Sequence, residues 1–211
     1  MHKSETPPPS RGRGRPKGTG KVDPSSIIDA ALDALADGGY RSLTMRGVAR
    51  TVGVSLATIQ HHFPTKDDLW RAAVDELSAD AIERRSNVDP RDLAGRLETF
   101  LEPGLGRPGL LPALLDDRSP GNQERLAYLV ARLADAADEP SKRMQEFEAN
   151  GVIRAVDQRA LFLLTTIGIG AIGGSADATR AIANFDLTTS DGRRRLARGL
   201  ADIIGLGILP R

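Results

Sequence analysis

The chain has no cysteine among its 211 residues, which excludes disulfides, thiolate metal sites, iron–sulfur clusters and a cysteine nucleophile. Aromatic residues are scarce, at 4%. No apolar run is long enough to span a membrane, and the polar, proline-rich leader lacks the basic-then-apolar order of a secretory signal. The cytoplasm is therefore the expected compartment, with no membrane partner. No segment alternates convincingly like a strand. No nucleophile, base and orienting group fall at usable spacing, so an enzyme is not expected. His61 and His62 point about 100° apart on a helix, with no carboxylate at ligand spacing, so neither a metal nor another cofactor is expected.

What is present is an ordinary globular composition, 40% apolar and 27% charged, in a chain long enough for one or two domains. The net charge of +1 conceals a division. Met1 to Lys21 holds six basic residues (Lys3, Arg11, Arg13, Arg15, Lys17 and Lys21) against the single acid Glu5, and leaves a body with 23 basic and 27 acidic residues. A basic arm on a mildly acidic body points to a polyanionic partner, although a merely solvated tail has the same composition. The arm is too poor in hydrophobes to offset its ordering entropy and is expected to be disordered alone.

From Asp23 the pattern becomes helical, and the fold class expected is all-α. Asp23 caps a first helix with Pro24 at its first position, and Ile27, Ile28, Ala31, Leu32 and Leu35 repeat at helical spacing until Gly38 and Gly39 stop it. Thr44 caps a short second helix that Gly53 ends. Ser55 caps a third, through His62, with Ile59 and Phe63 on one face, and Pro64 ends it. A fourth starts near Thr65 with Asp67 and Asp68 favourably placed against its dipole, and continues toward Arg85. Further helices are expected over 91–101, 110–115, 122–150 with a kink or break near Pro140, 157–183 and 191–206.

Two short helices joined by a glycine turn make a helix-turn-helix candidate, whose second helix enters the DNA major groove. An αα-hairpin that merely packs has the same outline. The stretch "SLTMRGVARTVGVSLATIQHHFPTKDDLWRAAV", Ser42 to Val74, resembles the DNA-binding domain of the tetracycline-repressor (TetR) family of bacterial transcription regulators. The shared features are helix order, glycine position and the Phe-x-x-Lys step into the next helix. The resemblance implies an arm over 1–22, a DNA-binding domain over 23–71, and a helical effector-binding and dimerisation domain over 72–211. It further implies that Arg46, Ser55, Leu56, Ala57, Thr58 and Gln60 face bases, while Thr44, His61 and Lys66 sit near phosphates. The family usually has Tyr where Gln60 stands. "RGRPKG", Arg13 to Gly18, is similar to an AT-hook, which implies that Arg13, Arg15 and Lys17 enter an AT-rich minor groove.

"GIGAIG", Gly168 to Gly173, formally satisfies the dinucleotide pattern, with Asp186 downstream. A Rossmann site needs a strand before the glycines and another ending in the acid, and the sequence supplies neither convincingly. Glycines and alanines among apolar residues suit close helix packing instead, so a homodimer through 157–183 and 191–206 is expected. Gly192, Leu196, Leu200, Ile203, Ile204 and Leu206 offer its face on the last helix. Phe100, Leu101, Leu111, Leu114, Tyr128, Leu129, Met144 and Phe147 are candidate lining for a small-molecule effector. The expected function is a ligand-responsive transcriptional regulator, a repressor in the leading reading, on a palindromic double-stranded operator. The rivals are an architectural AT-rich DNA-binding protein without effector and, remotely, an NAD-dependent oxidoreductase.

Overall fold

Asp23 performs the capping its position predicts. Its carboxylate accepts the Ser25 amide at 3.1 Å, Pro24 takes the first helical position, and α1 runs Pro24–Ser42. Ile27, Ala31 and Leu35 on one stripe of this helix are fully buried. Gly38 and Gly39 leave helical geometry inside α1, and Gly39 has φ 66° and ψ −157°, a conformation open essentially to glycine alone. A Cβ at Gly39 would also lie 2.9 Å from the Ala113 carbonyl oxygen.

The computed structural model describes residues 22–86, 88, 89, 92–107, 109–157, 160, 161, 164–168 and 176–209. After α1 come α2 (Met45–Val52), α3 (Leu56–His62), α4 (Lys66–Ser86), α5 (Leu93–Gly106), α6 (Leu110–Leu115) and α7 (Asn122–Ala149). A π-helical turn, Leu164–Gly168, precedes α8 (Ala176–Ala183) and α9 (Ser190–Ile208). No strand occurs among the described residues, so the fold is all-α, as expected. The only described residue of the "GIGAIG" stretch, Gly168, closes the π-helical turn rather than following a strand.

No break occurs at Pro140: α7 runs as one helix from Asn122 to Ala149. Proline removes one amide donor, and the Lys142–Asp138 ion pair at 2.7 Å spans the position. Of the helix expected over 157–183, Ala160 and Leu161 are helical, Leu164–Gly168 form the π-helical turn and Ala176–Ala183 form α8; 158, 159, 162, 163 and 169–175 lie outside the described residues.

Two hydrophobic clusters organise the chain. The first joins α1–α4 to Leu110 and Leu114 of α6 and Leu129 of α7. Trp70 is its largest fully buried side chain, and its ring meets that of Tyr128 on α7 with centroids 5.9 Å apart. The second packs Leu101 and Leu105 of α5 against Ala197, Ala201, Ile204 and Ile208 of α9, with Ile153. Ala197 and Ala201, four residues apart on α9, let the two helices approach closely.

Candidate nucleic-acid interface

The geometry of α2 and α3 follows from three local devices. Thr44 Oγ1 accepts the Gly47 amide at 3.0 Å and starts α2. Gly53, at φ 77° and ψ 29°, turns the chain in the left-handed region and sends its amide back to the carbonyls of Ala49 and Arg50. Ser55 Oγ accepts the Thr58 amide at 3.1 Å and starts α3. Val48, Ala49 and Ile59 are buried, fixing one helix on the other. A reciprocal cap starts α4: Asp68 Oδ2 accepts the Thr65 amide at 3.0 Å while Thr65 Oγ1 accepts that of Asp68 at 3.1 Å.

With Ile59 committed inward, the rest of α3 divides. Ser55, Ala57, Gln60 and His61 are exposed, as are Thr44 and Arg46 beside them, whereas Leu56, Thr58 and Lys66 are half-buried. The Thr58 hydroxyl shares a 2.8 Å hydrogen bond with Ser55 Oγ. Its polar end is thus engaged within the helix start, and its methyl is the part left for an apolar contact. The His61 and His62 rings meet edge to face, 5.4 Å apart. Among the described residues no three His, Cys, Asp or Glu side chains gather as a metal site would require. Arg13, Arg15 and Lys17 lie outside the described residues.

The candidate effector residues divide between the two clusters. Leu114 and Leu129 are buried in the first cluster, with Leu111 and Tyr128 packed against it; Leu101 is buried in the second, where Met144 and Phe147 pack. The side chain of Phe100 lies outside the description. Apolar spacing identified which faces are buried but not which of them oppose one another, and α6 with the first half of α7 is used to cover the head.

Sequence reasoning missed a polar cluster under the start of α4. Tyr40 donates its hydroxyl to Asp67 Oδ1 at 2.6 Å, and Arg125 of α7 pairs with Asp117 at 2.8 Å. Burial, reinforced by the bond to Asp67, pushes the Tyr40 phenol up to about 12. Burial alone would raise Asp117, but hydrogen bonds from Ser119 and the charge of Arg125 outweigh it and hold the carboxyl below its usual range. Burial, then the nearby Arg125, lowers Lys66, against the opposing pull of Asp67 and Asp117. The one local signal was an aromatic residue directly after Gly38-Gly39.

A capped pair of short helices, crossing on buried small residues and presenting a short polar outer face, defines a helix-turn-helix protein, here carried on a helical body. Residues 27–73 match the model of the tetR family of bacterial regulatory proteins. Residues 27–73 thus carry the DNA-binding domain that this family model describes. It is 38% identical over 77 residues to the HTH-type transcriptional regulator BetI of Rhizobium meliloti, a match covering 34% of this chain and 38% of BetI. It is 31% identical over 133 residues to an HTH-type transcriptional repressor of Mycobacterium tuberculosis, covering 62% of this chain and 66% of that protein. The chain thus spans less than two thirds of the length of these curated relatives. In fold it is similar to the transcriptional regulator FadR of Bacillus subtilis, solved with stearoyl-CoA: TM-score 0.55, 20% identity, 82% of this chain and 96% of that one.

Proposed function

We propose that the protein is a ligand-responsive transcriptional regulator, acting as a repressor, that binds a palindromic operator as a homodimer. The observation that carries this reading is the sorting of α3, with Ile59 fully buried and Ala57, Gln60 and His61 exposed beside Arg46 and a half-buried Lys66. A helix sorted in this way is anchored by one face and free to read base edges with the other. Arg46 reads a guanine edge, the Thr58 methyl meets thymine, and Lys66 and Thr44 hold phosphates. Arg13, Arg15 and Lys17 extend the contact into an adjacent AT-rich minor groove. Among the described residues no helix is long and apolar enough to cross a membrane, and in this reading the protein works in the cytoplasm on DNA, without catalysing a reaction.

Dimerisation through the last helices is supported by Ile203 and Leu206 of α9, which are 68% and 80% exposed. The other residues of that expected face turn inward: Ile204 is buried in the second cluster, Leu196 and Leu200 pack against it, and Gly192 is buried with the Asp186 carbonyl over it. A ligand-responsive body is supported by the likeness in fold to FadR, which was solved with stearoyl-CoA. Of the candidate lining, Leu101, Met144 and Phe147 in the second cluster are the residues assigned to an apolar effector. The test is binding of the purified protein to DNA upstream of its own gene against random duplex at moderate salt. A preference for the former is expected, and equal affinities overturn the reading.

A further inference from the structure

Lys66 meets solvent only in part, because its ammonium lies 3.8 Å from the centroid of the Tyr40 ring. The guanidinium of Arg125 lies over the same ring, 3.6 Å from its centroid. Tyr40 stands near the end of α1, Lys66 is the first residue of α4 and Arg125 belongs to α7, so one ring gathers a cation of the DNA-binding head and a cation of the body. Two positive charges around one ring repel each other. Two carboxylates offset them: Asp67 takes the Tyr40 hydroxyl and lies 3.7 Å from Arg125, and Asp117 pairs with Arg125 at 2.8 Å.

The two cations are not held alike. The Arg125 side chain is only 9% exposed. It donates to Asp117, to Ser119 Oγ and to the Pro120 carbonyl, all on the turn between α6 and α7. Among the described residues, Lys66 is met by the ring and by the charges of Asp67 and Asp117. The negative face of an aromatic ring attracts a cation, and a lysine already confined there loses less rotamer freedom when it meets a phosphate than one that samples solvent.

We propose that Tyr40 is the positioning residue of the phosphate grip at the start of α4, holding the Lys66 ammonium in a place that Arg125 fixes from the body. The proposal rests on the reading of Lys66 as a phosphate contact. It connects the α6–α7 turn, through Arg125 and the Tyr40 ring, to one DNA-facing charge, and it assigns Tyr40 a role separate from base reading.

The test compares the wild type, Lys66→Ala, Tyr40→Leu, Tyr40→Phe and the Tyr40→Leu/Lys66→Ala double variant. Each is melted to establish folding and then titrated with promoter and random duplexes. Tyr40→Leu is expected to weaken both duplexes about two- to fivefold, the scale of a lost cation–π contact, without altering the preference between them. Tyr40→Phe keeps the ring and with it the grip. Lys66→Ala is expected to cost less in the Tyr40→Leu background than in the wild type. In the free protein, NMR should place the Lys66 ε-methylene protons upfield through the ring current, in the wild type and Tyr40→Phe but not in Tyr40→Leu. Fully additive losses overturn the proposal while leaving Lys66 as a phosphate contact. Unchanged DNA affinity in Lys66→Ala overturns the phosphate reading and the proposal with it. Should Tyr40→Leu fail to fold, ordinary Lys66 ε-methylene shifts in the wild type are sufficient to overturn it.

Discussion

Arg46 and Lys66 are both cations of the DNA-binding head, but their surroundings assign them different work. Arg46 is exposed at the start of α2, where its planar fork can match a guanine edge. Lys66 is a compact charge at the start of α4 and, in the proposed reading, meets only the DNA backbone. Arg46→Ala is therefore expected to lose about 1–3 kcal/mol of discrimination at one base position, while Lys66→Ala weakens all sequences alike and lowers the salt slope by about 1. Salt titrations on matched and mismatched duplexes measure both, and an equal loss of preference in the two variants contradicts the division. Tyr40 supplies a pH prediction at the same scale. Its ordinary value is 10.0 and its folded value about 12, so the folded state favours the neutral phenol. The resulting stability is complete below about pH 10 and is lost as the pH rises toward about 12. Denaturant midpoints measured across that window should fall more steeply for the wild type than for Tyr40→Phe; parallel curves would rule out this contribution.

At the scale of elements, the two positive-φ glycines of the head differ in a measurable way. Gly53 has open space where a Cβ would go, so Gly53→Ala incurs only the left-handed backbone cost, about 1–2 kcal/mol. Gly39 combines a conformation almost restricted to glycine with a collision against the Ala113 carbonyl, so Gly39→Ala should destabilise by more, roughly 2–4 kcal/mol once strain and displacement combine. Thermal unfolding of the two variants gives the order, and a larger loss at Gly53 would contradict it. These glycines, with the caps Asp23, Thr44 and Ser55, were legible in the sequence because each acts on residues a few positions away. Pro140 misled for the complementary reason: its local penalty is real, but one missing donor is tolerated within a long helix. The Tyr40–Lys66–Arg125 cluster was illegible because its members are distant in the chain and meet only after α7 has docked on the head. The candidate effector residues divide between the two clusters for a similar reason, since periodicity shows a buried face without naming its partner.

For the whole molecule, Arg107 links head and body by bonding Asp29 and Asp33 of α1, each at 2.9 Å, and Arg132 and Tyr128 meet Asp75 in the body's part of α4. Exposed pairs of this kind contribute about 0–1 kcal/mol each, so the first hydrophobic cluster carries the docking and the ion pairs set its register. Assembly is tested on α9. Ile203→Asp places a charge on an exposed face and is expected to convert dimer to monomer in sedimentation while leaving the melting temperature of the subunit near that of Ile203→Ala. Ile204→Asp buries an unpaired charge in the second cluster and should unfold the body. Monomer formation by neither variant would remove this face from the interface. A subunit that dimerises with its two reading helices related by a two-fold axis requires a two-fold DNA site. The most direct measurement is nuclease footprinting of the full-length protein on DNA upstream of its own gene. One bounded, two-fold symmetric protected segment is expected, with its protection lost in Arg46→Ala. Protection that spreads without boundary over AT-rich DNA, and that persists in Arg46→Ala, would contradict this expectation.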